Sequence, residues 1–88
     1  MNDNHQGLLS VVVPVFNEEK KLVSSLKKIE NYFQKKRYLK EIIFVNDGST
    51  DKTTTILEKF KTSLPIKVIF YKQNKGKGFA VKKGVLKM

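Results

Sequence analysis

Three short runs of β-branched and apolar residues alternate with three stretches of helical periodicity, and this alternation restricts the fold more than any other feature. Leu8-Leu9-Ser10-Val11-Val12-Val13 reads as a strand ended by Pro14 and apolar enough to be buried on both faces. Asn17 then caps a helix, with Glu18 and Glu19 complementing the positive end of its dipole. Leu22, Leu26, Ile29 and Phe33 fall on one stripe of that helix, with Lys20, Lys21, Lys27 and Lys28 largely off it. A second strand, Glu41-Ile42-Ile43-Phe44-Val45, runs into the turn formers Asn46-Asp47-Gly48-Ser49. Asp51 or Thr50 caps a second helix whose inward residues are Ile56, Leu57 and Phe60. Beyond Pro65 a third strand covers residues 66–71, and a loop at 73–78 leads to a third helix with Val81, Gly84, Val85 and Met88 on one stripe.

The order β-α-β-α-β-α implies parallel strands joined by right-handed crossovers, with the sheet lying between layers of helices. The predicted fold is α/β: a Rossmann-like three-layer arrangement around a parallel sheet. Eighty-eight residues suffice for one small domain. Doubly wound sheets usually hold more than three strands, so residues 8–88 are expected to be part of a larger domain, with residues 1–7 as a flexible N-terminus. An unpaired outer strand leaves apolar surface open to aggregation or to oligomer formation through the sheet edge.

The chain contains no cysteine, which excludes disulfides and thiolate metal sites. Its longest apolar run, residues 8–16, is interrupted by Ser10 and Pro14 and falls far short of the roughly 20 residues a membrane-spanning helix requires. The first six residues carry no basic n-region of a signal peptide. A soluble, cytoplasmic chain is expected. The net charge of +10 is unevenly placed, with nine lysines and no acid after Glu58. That field attracts polyanions and admits peripheral attachment to an anionic membrane surface. A basic α/β binding module for RNA or anionic lipid is therefore the alternative to an enzyme. Arg37 is the single arginine, which weighs against specific nucleic-acid readout.

In open α/β sheets ligands bind beyond the carboxyl ends of the strands. Three polar segments leave those ends here, and the topology brings them to one edge. After the first strand, Pro14 stiffens the exit, Phe16 offers a flat apolar surface for a base, and Glu18 a carboxylate for ribose hydroxyls. These residues equally suit a cap, a dipole partner and a core aromatic. After the second strand, Asp47 can accept from a base N–H or a sugar hydroxyl, and Gly48 permits a backbone conformation other residues resist; an ordinary Asp-Gly turn reads the same way. After the third, Asn74-Lys75-Gly76-Lys77-Gly78 joins two glycines and two lysines at a helix start, where exposed N–H groups favour a phosphate. A solvated lysine loop is the competing reading.

Several familiar sites are missing. There is no Walker A loop, and the first strand is followed by Pro-Val-Phe-Asn-Glu rather than a glycine-rich dinucleotide fingerprint. One histidine, His5, cannot supply a zinc site or a Ser/His/Asp set.

Taken in order and spacing, Val11-Val12-Val13-Pro14-Val15-Phe16-Asn17-Glu18, Phe44-Val45-Asn46-Asp47-Gly48-Ser49-Thr50-Asp51 and Asn74-Lys75-Gly76-Lys77-Gly78-Phe79-Ala80 resemble family 2 glycosyltransferases. The third block is most similar to the branch that moves sugars to polyprenyl (dolichyl or undecaprenyl) phosphates. The resemblance implies a GT-A fold and an inverting transfer from a UDP- or GDP-sugar to a polyprenyl phosphate or glycan acceptor. It places Pro14, Phe16, Asn17 and Glu18 around the base and ribose, and Asp47 on the base. It gives Gly48 and Ser49 the turn, and sets Asn74, Gly76 and Lys77 beside the nucleotide, with the lysine near the diphosphate. Where the family often has two acids before Gly-Ser, the first here is Asn46. The family's Asp-x-Asp motif, which holds Mg²⁺ or Mn²⁺, normally follows the third helix, and this sequence reaches Met88 without one. The resemblance therefore implies a nucleotide-sugar-binding portion that is inactive alone, with the acceptor bound by a region not included.

Overall fold

A computed structural model describes residues 8–88; the expectation for residues 1–7 lies outside the described residues. The elements are β1 (Leu9–Val15), α1 (Leu22–Phe33), β2 (Leu39–Asp47), α2 (Thr53–Lys59), β3 (Ile66–Tyr71) and α3 (Lys77–Val85). They alternate as the sequence predicts. All strands are parallel, in the order β1-β2-β3.

Register sorts the side chains. Val11, Val13, Ile42, Phe44 and Ile66 share one face, where Leu22, Leu26 and Leu57 of α1 and α2 complete the larger core. Ile43, Val45, Val12, Ile69 and Tyr71 share the other, covered by Ala80 of α3. The three-layer prediction holds: α1 and α2, the sheet, then α3.

The sequence reading needs correction in several places. The strand buried on both faces is β2, whose Ile42, Ile43, Phe44 and Val45 have no accessible surface. β1 is an edge strand and only partly covered, and it continues through Pro14 to Val15. An edge position tolerates a residue with no N–H to donate. β2 likewise runs two residues further than expected, so Asn46 and Asp47 belong to the strand and the turn begins at Gly48.

Asn17 does not cap α1. Its backbone has φ 47°, in the left-handed region, and the helix begins at Leu22 after a turn in which the N–H groups of Lys21 and Leu22 both donate to the Glu18 carbonyl. Around α3 the predicted stripe is rotated: Ala80 and Gly84 are buried, whereas Val81, Val85 and Met88 are exposed. Gly84 sets this, because its missing side chain lets the helix settle onto Val12 and Val45. For α2, neither Thr50 nor Asp51 is the N-cap, which is Lys52 and makes no side-chain cap bond; Asp51 stands one residue earlier, and its Oδ1 accepts from the Thr53 N–H at 2.9 Å.

Both outer strands present unpaired edges among the described residues, and Val68 and Phe70 on β3 are exposed. No helix among the described residues is long and apolar enough to cross a membrane.

Candidate functional site

A cleft of about 380 Å³ opens at the carboxyl ends of the strands. Pro14, Val15, Phe16 and Glu18 form one wall, and Asp47, Asn74, Gly76 and Lys77 the other. The structure thus brings together seven of the ten residues the sequence singled out. Val15, the last residue of β1, is the lining residue the sequence reading missed; it reads as an ordinary core valine, and it is in fact buried.

Asn17, Gly48 and Ser49 stand outside the cleft lining. Asn17 instead ties the two neighbouring loops together. Its Oδ1 accepts from the N–H groups of Thr50 (2.8 Å) and Asp51 (3.3 Å), and its own N–H donates to Ser49 Oγ (3.0 Å). The clasp continues on either side: the Glu18 N–H donates to Thr53 Oγ1 (2.8 Å), the Glu19 N–H to Asp51 Oδ2 (3.3 Å), and the Lys52 N–H to Glu19 Oε1 (3.1 Å). Three loop acids and amides thus satisfy backbone donors that would otherwise be left open at the starts of α1 and α2. Phe16 and Glu18 are held at the rim by this network.

Asp47 lies on the α3 face of β2 and is 3% exposed. Its Oδ1 accepts from the Lys75 N–H at 2.8 Å; its Oδ2 accepts from the Gly76 N–H at 3.0 Å and from Asn74 Nδ2 at 2.9 Å. Asn74 Nδ2 also donates to the Asp47 carbonyl at 3.0 Å. Burial alone would raise this carboxyl's pKa; donation from the Lys75 backbone, the nearby dipole of the Tyr71 hydroxyl and donation from the Gly76 backbone together outweigh it and hold the group below the usual aspartate range. Tyr71 is the counterpart. Burial first, and then the neighbouring Asp47, push its phenol up to about 12. Its hydroxyl is buried and makes no hydrogen bond of ordinary geometry.

Asn46, where an acid was expected, points to the opposite face from Asp47. Its Nδ2 donates to Thr54 Oγ1 at 2.8 Å while its Oδ1 accepts from the Ser49 N–H at 3.3 Å. An amide can do both at once; an ionised carboxylate cannot donate. The residue therefore fastens the turn to α2 and lies away from the cleft.

Among the described glycines, Gly48 and Gly76 have positive φ, 70° and 94°. Gly76 precedes α3 directly, and both it and the exposed Lys77, the first residue of that helix, line the cleft. The site offers an apolar wall with one aromatic ring, one exposed carboxylate at Glu18, and a cationic, donor-rich corner. Among the described residues no three His, Cys, Asp or Glu side chains converge, and the Asp47 carboxylate is already occupied. The residues present do not fit a divalent-cation site.

A parallel α/β sheet with helices on both faces and a cleft at its carboxyl edge defines a domain of the doubly wound class. The model of the family described as Glycosyl transferase family 2 matches residues 10–88, and the chain belongs to that family. Among similar proteins are the dolichyl-phosphate beta-glucosyltransferases of Mus musculus, 40% identical over 91 residues, and of Dictyostelium discoideum, 37% identical over 86. These alignments cover 94% and 89% of this chain but 28% and 26% of the relatives. The prophage bactoprenol glucosyl transferase homolog of Escherichia coli (strain K12) is 40% identical over 70 residues, covering 78% of this chain and 23% of that protein. The chain thus spans about a quarter of the length of the relatives it matches. No solved structure gives a significant match.

Proposed function

We propose that the cleft binds the nucleoside diphosphate of a UDP- or GDP-sugar, and that the protein serves an inverting transfer of a hexose to a polyprenyl phosphate. The observation that carries this reading is the convergence of Phe16 and Glu18 from one loop with Gly76 and Lys77 from another on a single cleft. The base would lie against Phe16, the ribose hydroxyls would donate to Glu18, and the diphosphate would meet Lys77 and the N–H groups at the start of α3. The names of the relatives support a glucosyl donor and a dolichyl or bactoprenol phosphate acceptor. In the reaction an acceptor phosphate oxygen attacks the anomeric carbon as the bond from that carbon to the diphosphate breaks, releasing the nucleoside diphosphate with inversion.

The described residues contribute donor binding. Acceptor binding and a Mg²⁺ or Mn²⁺ at the diphosphate would come from groups other than those lining this cleft, so the 88 residues alone would not turn over. The lysines that follow Glu58 would draw the anionic donor and hold the cytoplasmic protein near an anionic membrane face.

Calorimetric titration with UDP and with GDP, with and without Mn²⁺, tests the reading. Saturable binding of one nucleotide, weakened about tenfold or more in both Phe16→Ala and Lys77→Ala, is expected. A folded chain that binds neither nucleotide would refute it.

A further inference from the structure

Phe16, Asn17 and Glu18 carry the chain out of β1, and all three are exposed. Burial therefore does little to fix where Phe16 and Glu18 stand, although both line the cleft. Hydrogen bonds to the loop after β2 do that instead. Asn17, which does not line the cleft, makes three of them at 2.8–3.3 Å, to Ser49, Thr50 and Asp51, and the Glu18 N–H makes a fourth, to Thr53 Oγ1. Asn17 is also the one non-glycine among the described residues with a left-handed backbone, φ 47°. Asparagine tolerates that conformation better than most residues that carry a Cβ. Its side-chain carbonyl has two lone pairs, and these meet the N–H groups of Thr50 and Asp51. One residue thus turns the chain and ties it to the neighbouring loop.

We propose that Asn17 is a positioning residue for the nucleoside side of the cleft: its turn and its bonds to residues 49–51 set where Phe16 and Glu18 stand before a ligand arrives. The inference rests on the donor-cleft reading for its ligand, whereas the order of the segment is measured without one. A wall ordered in advance spares the ligand the cost of ordering it. The two walls then predict different losses. Releasing the clasp falls on the base and ribose, which meet Phe16 and Glu18, and spares the diphosphate contacts of Gly76 and Lys77.

The test compares Asn17→Gly with Asn17→Asp. Glycine keeps the left-handed turn and loses the acceptor; aspartate tolerates the turn, keeps the acceptor and loses only the amide donor. In the ligand-free chain, NMR order parameters of the Phe16 and Glu18 amides should fall from about 0.85 to below about 0.6 in Asn17→Gly and stay near wild type in Asn17→Asp, with β2 rigid in both. Of UDP and GDP, whichever the wild-type chain binds should bind Asn17→Gly about five- to tenfold more weakly, with the same fold-loss for its nucleoside. Asn17→Asp should bind within about twofold of wild type at about 0.3 M salt, which screens the added charge from Glu18, Glu19 and Asp51. The loss in Asn17→Gly should shrink on a Phe16→Ala background and persist in full on Lys77→Ala. A direct ligand contact through the Asn17 amide donor would instead be lost in both variants. Equal loss in Asn17→Asp, unchanged order in Asn17→Gly, or lost order with unchanged affinity would overturn the proposal. Should Asn17→Gly fail to fold, Ser49→Ala, which removes the acceptor of the Asn17 N–H, must lower both order at Phe16 and nucleoside affinity by about twofold or more; no change in either would sink it. If wild type binds neither nucleotide, the donor-cleft reading fails while the order parameters still decide whether Asn17 holds the segment.

Discussion

Gly48 and Asn74 approach each other backbone to backbone: a Cβ built on Gly48 would lie 2.4 Å from Asn74 N and 2.8 Å from its Cα. The φ of 70° at Gly48 adds a conformational demand to the steric one. Neither atom in the way is a flexible side-chain end, so the loop itself must move. Gly48→Ala should therefore cost at least about 2 kcal/mol. Gly76 shares the positive φ, at 94°, but has open space where its Cβ would go. Gly76→Ala should cost less, about 1–2 kcal/mol from backbone strain alone. Urea unfolding of the two variants, with midpoints compared at unchanged m, checks the order.

Gly84 limits the approach of α3. An added Cβ would stand 2.4 Å from Val12 Cγ1 and 3.1 Å from Val45 Cγ2. In an exposed helix, glycine to alanine gains about 1 kcal/mol. Here overpacking reverses the sign, and Gly84→Ala should destabilise by about 1–2 kcal/mol. The offending atom belongs to one side chain, so Val12→Ala should relieve it. Denaturation of both single variants and the double variant should show a favourable coupling of about 1 kcal/mol or more.

Glu41 joins the three strands at the end opposite the cleft. Ser10 Oγ donates to its Oε2 at 2.7 Å, and Lys67 Nζ lies 3.1 Å from its Oε1. Ser10 first, then Lys67, hold its carboxyl below the usual range despite burial. Asp51 is lowered too: burial opposes the shift, but donation from Thr53 and from the Glu19 backbone prevails. Asp47 is lowered in the same sense. For a group depressed on folding, the stabilisation is complete above the unfolded pKa, about 4 for these acids, and is lost as pH falls through the folded value. Stability should be level from neutral pH to about 5 and fall below about 4. Glu41→Gln should be less stable at neutral pH and show a shallower acid slope, which thermal melts across pH 2–7 would record.

Asn17 separates backbone from side chain as sources of stability. Asn17→Gly keeps the left-handed φ and removes the acceptor that serves Thr50 and Asp51. That should cost about 1 kcal/mol, discounted for exposure. Asn17→Ala loses the acceptor and the conformational tolerance, and should cost about 1 kcal/mol more. Thermal or urea unfolding distinguishes the two.

The layer order, the parallel sheet and the α1 stripe were legible because each follows from a period repeated over several residues. Leu22, Leu26, Ile29 and Phe33 report a helix face whatever surrounds them. Strand ends were harder to read. Asn46 and Asp47 have turn chemistry, yet pairing with Val15, Phe70 and Tyr71 draws them into the sheet. Local rules make Asn17 a helix cap and Gly84 part of an apolar stripe. Long-range partners decide both: the Thr50 and Asp51 amides for one, the methyls of Val12 for the other. The cleft was legible in outline because topology gathers the strand exits. The occupation of Asp47 by its own loop was not, since it depends on hydrogen bonds spanning 27 to 29 residues.

The central claim is that these strand exits form one nucleotide site, and amide shift mapping tests it most directly. UDP and GDP would be titrated into the labelled chain at two salt concentrations, with inorganic pyrophosphate as control. The account predicts saturable shifts, for one nucleotide above the other, confined to Phe16, Glu18, Asp47, Gly76, Lys77 and their neighbours. Shifts scattered over the lysines of β3 and α3, equal for pyrophosphate and erased by salt, would contradict it and leave a polyanion-binding surface in its place.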